Sequence, residues 1–127
     1  MLDHVSLGCS DLQKSTAFFS TALAPLGYRV HKSDDHETAL GLPEQWMLFL
    51  YPASDPARPL VGDRMHVALR ADSRAQVHAA FDAVHAAGAQ SVPDREPAER
   101  PQFGEDYFGG VFLDPDGHMI ELLTRGS

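Results

Sequence analysis

Small and apolar residues alternate over Leu2–Cys9, a period of two that predicts a strand. The period then changes. Leu12, Ser15, Phe18, Phe19, Ala22 and Leu23 recur at helical spacing behind Asp11, a capping residue, and Pro25 and Gly27 mark the stop. Tyr28–Lys32, Thr38–Leu42 and Gln45–Tyr51 predict short strands with turn residues between them. Pro52, Pro56, Pro59 and Gly62 mark a connector. The same order then resumes. Arg64–Ala71 predicts a strand, and Asp72 or Ser73 caps a helix with the stripe Val77, Ala80, Phe81 and Val84 that closes at Gly88. Ala89–Val92 is strand-like, and 93–106, rich in proline and charge, predicts a mobile loop. Tyr107–Leu113 and His118–Thr124 predict a hairpin about Asp114-Pro115-Asp116-Gly117, where proline presets one turn position and glycine takes φ > 0.

The two halves match. DHVSL at Asp3–Leu7 answers MHVAL at Met65–Leu69, and His4/His66, Asp11/Asp72 and Gly27/Gly88 sit at offsets of 62, 61 and 61. Pro43/Pro115 and Met47/Met119 match at offset 72, the second half having the longer loop. A duplication accounts for this pattern. It predicts one α+β domain of two βαβββ modules, 1–52 and 64–127, joined by 53–63. The modules form an open, curved, mixed sheet with helices on the outer face.

Strand parity places the histidines. Val5, Leu7 and Cys9 lie on one face of the first strand, His4, Ser6 and Gly8 on the other. In the fifth strand Val67 and Leu69 oppose His66 and Ala68. The helices cover the apolar faces, so both histidines point away from them. In the last strand Met119, Glu121 and Leu123 join the histidine face. Two imidazoles and a carboxylate on one uncovered face are a metal site by ligand type, suited to iron, zinc, nickel or manganese. Such a set leaves roughly three of six positions open.

Composition narrows the partners. The 127 residues are 43% hydrophobic and 22% charged, with a net charge of −8, which argues against nucleic acid and anionic membrane. A lone cysteine, Cys9, forms no internal disulfide and reads as a small buried core residue. Together with the lack of a signal-like or spanning apolar run, it leads to the expectation of a cytoplasmic protein. His78, His85 and Asp82 read as a solvent face of the second helix, and His31 and His36 as flanks of a turn. His118, opposite in parity to Glu121, reads as structural. Parity places Trp46 in the core with Leu48 and Leu50. It faces Phe49 and Tyr51 to the cleft, as an apolar wall or a donor to substrate. The loop 93–106, with Arg95, Arg100, Gln102 and Tyr107, is either a lid over the site or a solvated loop.

The stretches DHVSLGCSDLQKSTAFF, MHVAL and VFLDPDGHMIEL resemble the vicinal oxygen chelate superfamily, which includes glyoxalase I, extradiol dioxygenases, methylmalonyl-CoA epimerase, fosfomycin-resistance thiol transferases and bleomycin-resistance proteins. The resemblance covers essentially the whole chain. It implies metal ligands on the first, fourth, fifth and eighth strands, which carry over to His4, Phe49 (or Leu48), His66 and Glu121. The fourth-strand residue cannot bind metal, so three ligands remain, with Glu121 as ligand and base. Two three-ligand classes, the extradiol dioxygenases and fosfomycin enzymes, commonly carry a tyrosine ten residues before that glutamate. Here Val111 stands there, with Tyr107 and Phe108 nearby. Fosfomycin enzymes also use basic residues on a phosphonate, some beyond the glutamate. Arg125 is the only one so placed here, which disfavours a phosphonate. The resemblance thus implies a metal-dependent lyase, isomerase or extradiol-type dioxygenase whose small-molecule substrate chelates through adjacent oxygens. Ser6, Phe49, Tyr51 and Tyr107 would line its pocket, and a homodimer would cover exposed strand edges. The alternatives are a non-catalytic sequestering protein of the bleomycin-resistance kind and a fosfomycin-type thiol transferase.

Overall fold

The computed structural model describes residues 1–126. Nine strands and two α-helices follow in the order β1 (Val5–Cys9), α1 (Leu12–Leu23), β2 (Arg29–Ser33), β3 (Thr38–Gly41), β4 (Leu48–Pro52), β5 (His66–Arg70), α2 (Arg74–Ala86), β6 (Gln90–Ser91), β7 (Ala98–Glu99), β8 (Tyr107–Leu113) and β9 (Met119–Arg125). They form an α+β fold with two mixed sheets. The first runs β1-β4-β3-β2. The second runs β5-β9-β8-β6, with β7 also on β8. In each sheet the strand before the helix pairs in parallel with the last strand, β1 with β4 and β5 with β9, and the other pairs are antiparallel. β1 and β5 are both edge strands.

The helices begin where short polar side chains satisfy free amides. The Asp11 carboxylate accepts from the Lys14 amide, and Ser73, rather than Asp72, accepts from Gln76. After α1 a short 3-10 turn ends at Gly27 with φ 89°, a conformation that favours glycine. The apolar stripes, Phe18, Phe19, Ala22 and Leu23 on α1 and Val77, Ala80, Phe81 and Val84 on α2, are buried. They share one core with Leu7, Cys9, Leu48, Leu50, Ile120 and Leu122. Phe18 tilts against Phe112 at 5.9 Å, and Phe81 meets the same ring edge-on at 5.7 Å. The two halves are therefore held by shared aromatic packing, each such ring contributing about 2–3 kcal/mol through its buried area.

Three readings change. The first strand starts at Val5, so His4 precedes it and strand parity does not orient its ring. Trp46 is 45% exposed, not core, because β4 begins only at Leu48. Its ring stacks on His31 at 5.9 Å instead. The loop 93–106 is partly ordered by pairing. β7 adds to β8, and the Val111 amide donates to the Arg95 carbonyl at 2.8 Å.

Candidate functional site

The parallel register of β5 and β9 sets Ala68 beside Glu121, so His66 and Glu121 stand two residues apart along neighbouring strands on one face. His66 Nε2 lies 2.8 Å from Glu121 Oε1. The carboxylate is buried, at 6% exposure, so every partner it has is selected by the fold. On β8 the residues facing the same way are Val111, Gly109 and Tyr107, opposite Glu121, Leu123 and Arg125. The Tyr107 hydroxyl donates to Glu121 Oε2. Burial, and then the hydrogen bond to that carboxylate, push the Tyr107 phenol up to about 12, so it stays a donor at neutral pH. Arg95 Nη2 lies 3.8 Å from Glu121 Oε1. His66, Tyr107 and Glu121, with Arg95, Phe103 and Arg125, line a hollow of about 440 Å³.

The third expected donor is elsewhere. His4 is half-exposed, 3.7 Å from the Asp3 carboxylate, and its ring tilts against Phe49 at 4.9 Å. It lines a groove of about 450 Å³ that also reaches His66. Its nitrogens do not come within 4.8 Å of both other ligand atoms. Ser6 and Phe49 pair across β1 and β4, and Phe49 stacks on Tyr51 at 6.3 Å. These three lie on the first sheet and line neither the groove nor the hollow. Of the pocket residues read from the sequence, Tyr107 alone reaches Glu121.

Among the described residues, Asp114, Asp116 and His118 are the one set whose ligand atoms all lie within 4.8 Å. Internal bonds consume it. His118 is fully buried, with Nδ1 2.6 Å from Asp114 Oδ2 and Nε2 3.1 Å from the Leu60 carbonyl. Both neighbours are acceptors, so the site favours the doubly protonated ring. Burial opposes that charge, but the Asp114 carboxylate outweighs it and holds the His118 pKa above its ordinary value. The Asp116 carboxylate accepts from the Ser10 amide and hydroxyl. This network ties the β8–β9 turn to the connector and to the end of β1, the structural part expected of His118.

The sequence reading placed Tyr107 in the pocket and Arg95 in the loop beside it, without their contacts to Glu121. Tyr107 shares the parity of Val111 on one strand, so its place on the Glu121 face was open to periodicity. Arg95 carried no such signal, because its position depends on how the loop folds back on β8.

Fold and residue pairing point to one class, the paired-module α+β proteins that set an imidazole and a carboxylate on the sheet face away from the helices. The chain belongs to the Glyoxalase/Bleomycin resistance protein/Dioxygenase superfamily, whose family model matches residues 1–122. Among solved structures it is similar to a glyoxalase/bleomycin resistance protein from Albidiferax ferrireducens, with TM-score 0.84, 23% identity and 98% of each chain covered. A glyoxalase-related enzyme from Fulvimarina pelagi aligns with TM-score 0.75 at 19% identity, over 98% of this chain and 87% of that one. A mutant of the fosfomycin resistance protein FosX from Listeria monocytogenes, complexed with Mn(II) and a dihydroxypropylphosphonic acid, aligns with TM-score 0.69 at 21% identity, over 100% and 90% of the chains. No match is found among curated proteins. Among the described residues no helix is long and apolar enough to cross a membrane.

Proposed function

We propose that the protein is a metal-dependent enzyme acting on a small molecule that chelates through two adjacent oxygens. The observation that carries this is the contact between His66 and Glu121 at the mouth of a hollow, with the second carboxylate oxygen held by Tyr107. Imidazole and carboxylate suit manganese, iron, zinc or nickel, and a ligating carboxylate is normally oriented by such a hydrogen bond, so the residues fit a divalent ion. His66 and Glu121 would hold it. His4, half-exposed on the groove that also reaches His66, would be the third donor. When bound, the ion supplies Lewis-acid stabilisation of charge developing on the substrate oxygens.

The chain's own residues do the rest. Tyr107 fixes the Glu121 carboxylate and keeps its own proton. Glu121, with Oε2 held by Tyr107 and Oε1 turned to His66, would be both ligand and base. Burial of that carboxylate excludes bulk water from it. Copies of the chain pair as a homodimer, covering the open edges of β1 and β5.

The test is elemental analysis of protein purified without chelator or metal affinity, alongside His66→Ala and Glu121→Ala. Near-stoichiometric metal in the parent, lost in both variants, is the expected result. Iron would direct the search to catechols and oxygen, and zinc, nickel or manganese to isomerase, lyase or thiol-addition chemistry. The separation of His4 from the other two donors favours a second reading, a small-molecule binding protein. A parent chain that takes up no added metal would establish that reading instead.

A further inference from the structure

We propose that Arg95 and Arg125 form an anion subsite in the Glu121 hollow, and that the substrate is a carboxylic acid carried on a flat apolar body. This rests on the reading of the hollow as the substrate site and names the class of molecule it takes.

The chain is strongly acidic, yet the hollow holds two guanidinium groups and one carboxylate. Neither arginine is spent in a close ion pair. Arg95 reaches Glu121 only at 3.8 Å. Arg125 has no carboxylate partner among the described residues. Its Nη1 donates to the Phe103 carbonyl at 3.2 Å, and its guanidinium lies 4.9 Å from the Tyr107 ring centroid. Stacking on an aromatic face holds a guanidinium in place while leaving its remaining N–H groups free.

Both groups are positioned by backbone. Arg95 follows a tight turn, with Asp94 at φ 63°, and its carbonyl is anchored to the Val111 amide of β8. Arg125 ends β9 opposite Tyr107. The guanidinium of Arg125 occupies space that a side chain on Gly104 would fill, since a Cβ there would lie 2.9 Å from Nη1. Between the arginines stand Tyr107 and Phe103, the latter 54% exposed and tilted against Tyr107 at 5.4 Å. An exposed phenylalanine inside a cationic hollow is an apolar platform for a flat ligand. Two guanidiniums against one carboxylate leave the side chains of the hollow net positive. A monoanionic carboxylate matches that charge and the planar fork of arginine.

The test is titration calorimetry of the full chain with benzoate, benzamide and inorganic phosphate, each with and without Mn(II), plus a separate measure of Mn(II) uptake. Benzoate is expected to bind about tenfold more tightly than benzamide, and more tightly than phosphate. Arg125→Gln and Arg95→Gln should erase that preference, with melting temperatures confirming that both variants fold. Equal binding of acid and amide, or no saturation by benzoate, overturns the subsite, and a preference for phosphate overturns the carboxylate assignment. A benzoate preference without Mn(II) uptake sinks the metal and leaves the subsite standing. Uptake without the preference does the reverse.

Discussion

Tyr107 hydrogen-bonds the carboxylate of Glu121 from the neighbouring antiparallel strand, four residues along β8 from Val111, the direct partner of Glu121, and on the same face. Removing that donor leaves a buried carboxylate oxygen unpaired. Tyr107→Phe should destabilise the protein by about 1–2 kcal/mol in urea unfolding. The raised phenol pKa adds a pH signature. The folded state holds this proton more tightly than the unfolded chain, whose tyrosines titrate near about 10. The contribution is therefore complete below pH 10 and lost between there and about 12. The difference between parent and Tyr107→Phe should shrink across that window. A constant difference would show that the hydroxyl is not coupled to Glu121.

The buried His118–Asp114 pair makes a second pH prediction. With the folded pKa raised, its stabilisation is complete below about 6.5 and is lost as pH rises through the folded value of His118. Melting temperature should fall over that range in the parent and less in His118→Gln. His118→Ala should cost about 3 kcal/mol, the lower end for breaking a buried pair. An NMR titration placing the His118 pKa at or below that of a free histidine would refute the assignment.

Gly110 connects the core to the segment that carries Arg95. A Cβ there would lie 2.7 Å from the Pro97 nitrogen and 2.8 Å from Phe81 Cζ. Gly110→Ala therefore displaces either α2 or residues 95–97. A loss of about 1–3 kcal/mol is expected from overpacking. It should be accompanied by faster amide exchange at Val111, whose donor bond runs to Arg95. Unchanged exchange with lost stability would place the strain on Phe81 alone.

Cys9 offers a simple check of the core. It is fully buried, and burial pushes its thiol pKa up, so the nucleophilic thiolate is scarce and inaccessible. A disulfide reagent should label it only at the rate of global unfolding. Rapid labelling in native buffer would show that β1 opens locally.

Much of this molecule was legible before folding because it depends on local spacing. The helical stripes, the Asp11 cap, the repeat and the shared face of His66 and Glu121 follow from periods of 3.6 and 2 and from short polar side chains beside free amides. Asp72 and Ser73 were equivalent on that basis, and only the backbone path gave the cap to Ser73. Trp46 was misplaced because parity holds only inside a strand, and β4 starts two residues later. His4 precedes its strand by one residue, and its separation from His66 and Glu121 depends on how two sheets pack. Tyr107 was within reach of sequence reasoning, since 107 and 111 share a face. Arg95 was not. Its guanidinium reaches Glu121 because its loop closes onto β8 through backbone pairing, and a contact between residues 26 positions apart leaves no periodic trace in the chain. Sequence alone determined the elements and the face on which the chemistry lies. Tertiary packing decided which charges meet there, because long-range contacts are set by the core that joins the two halves.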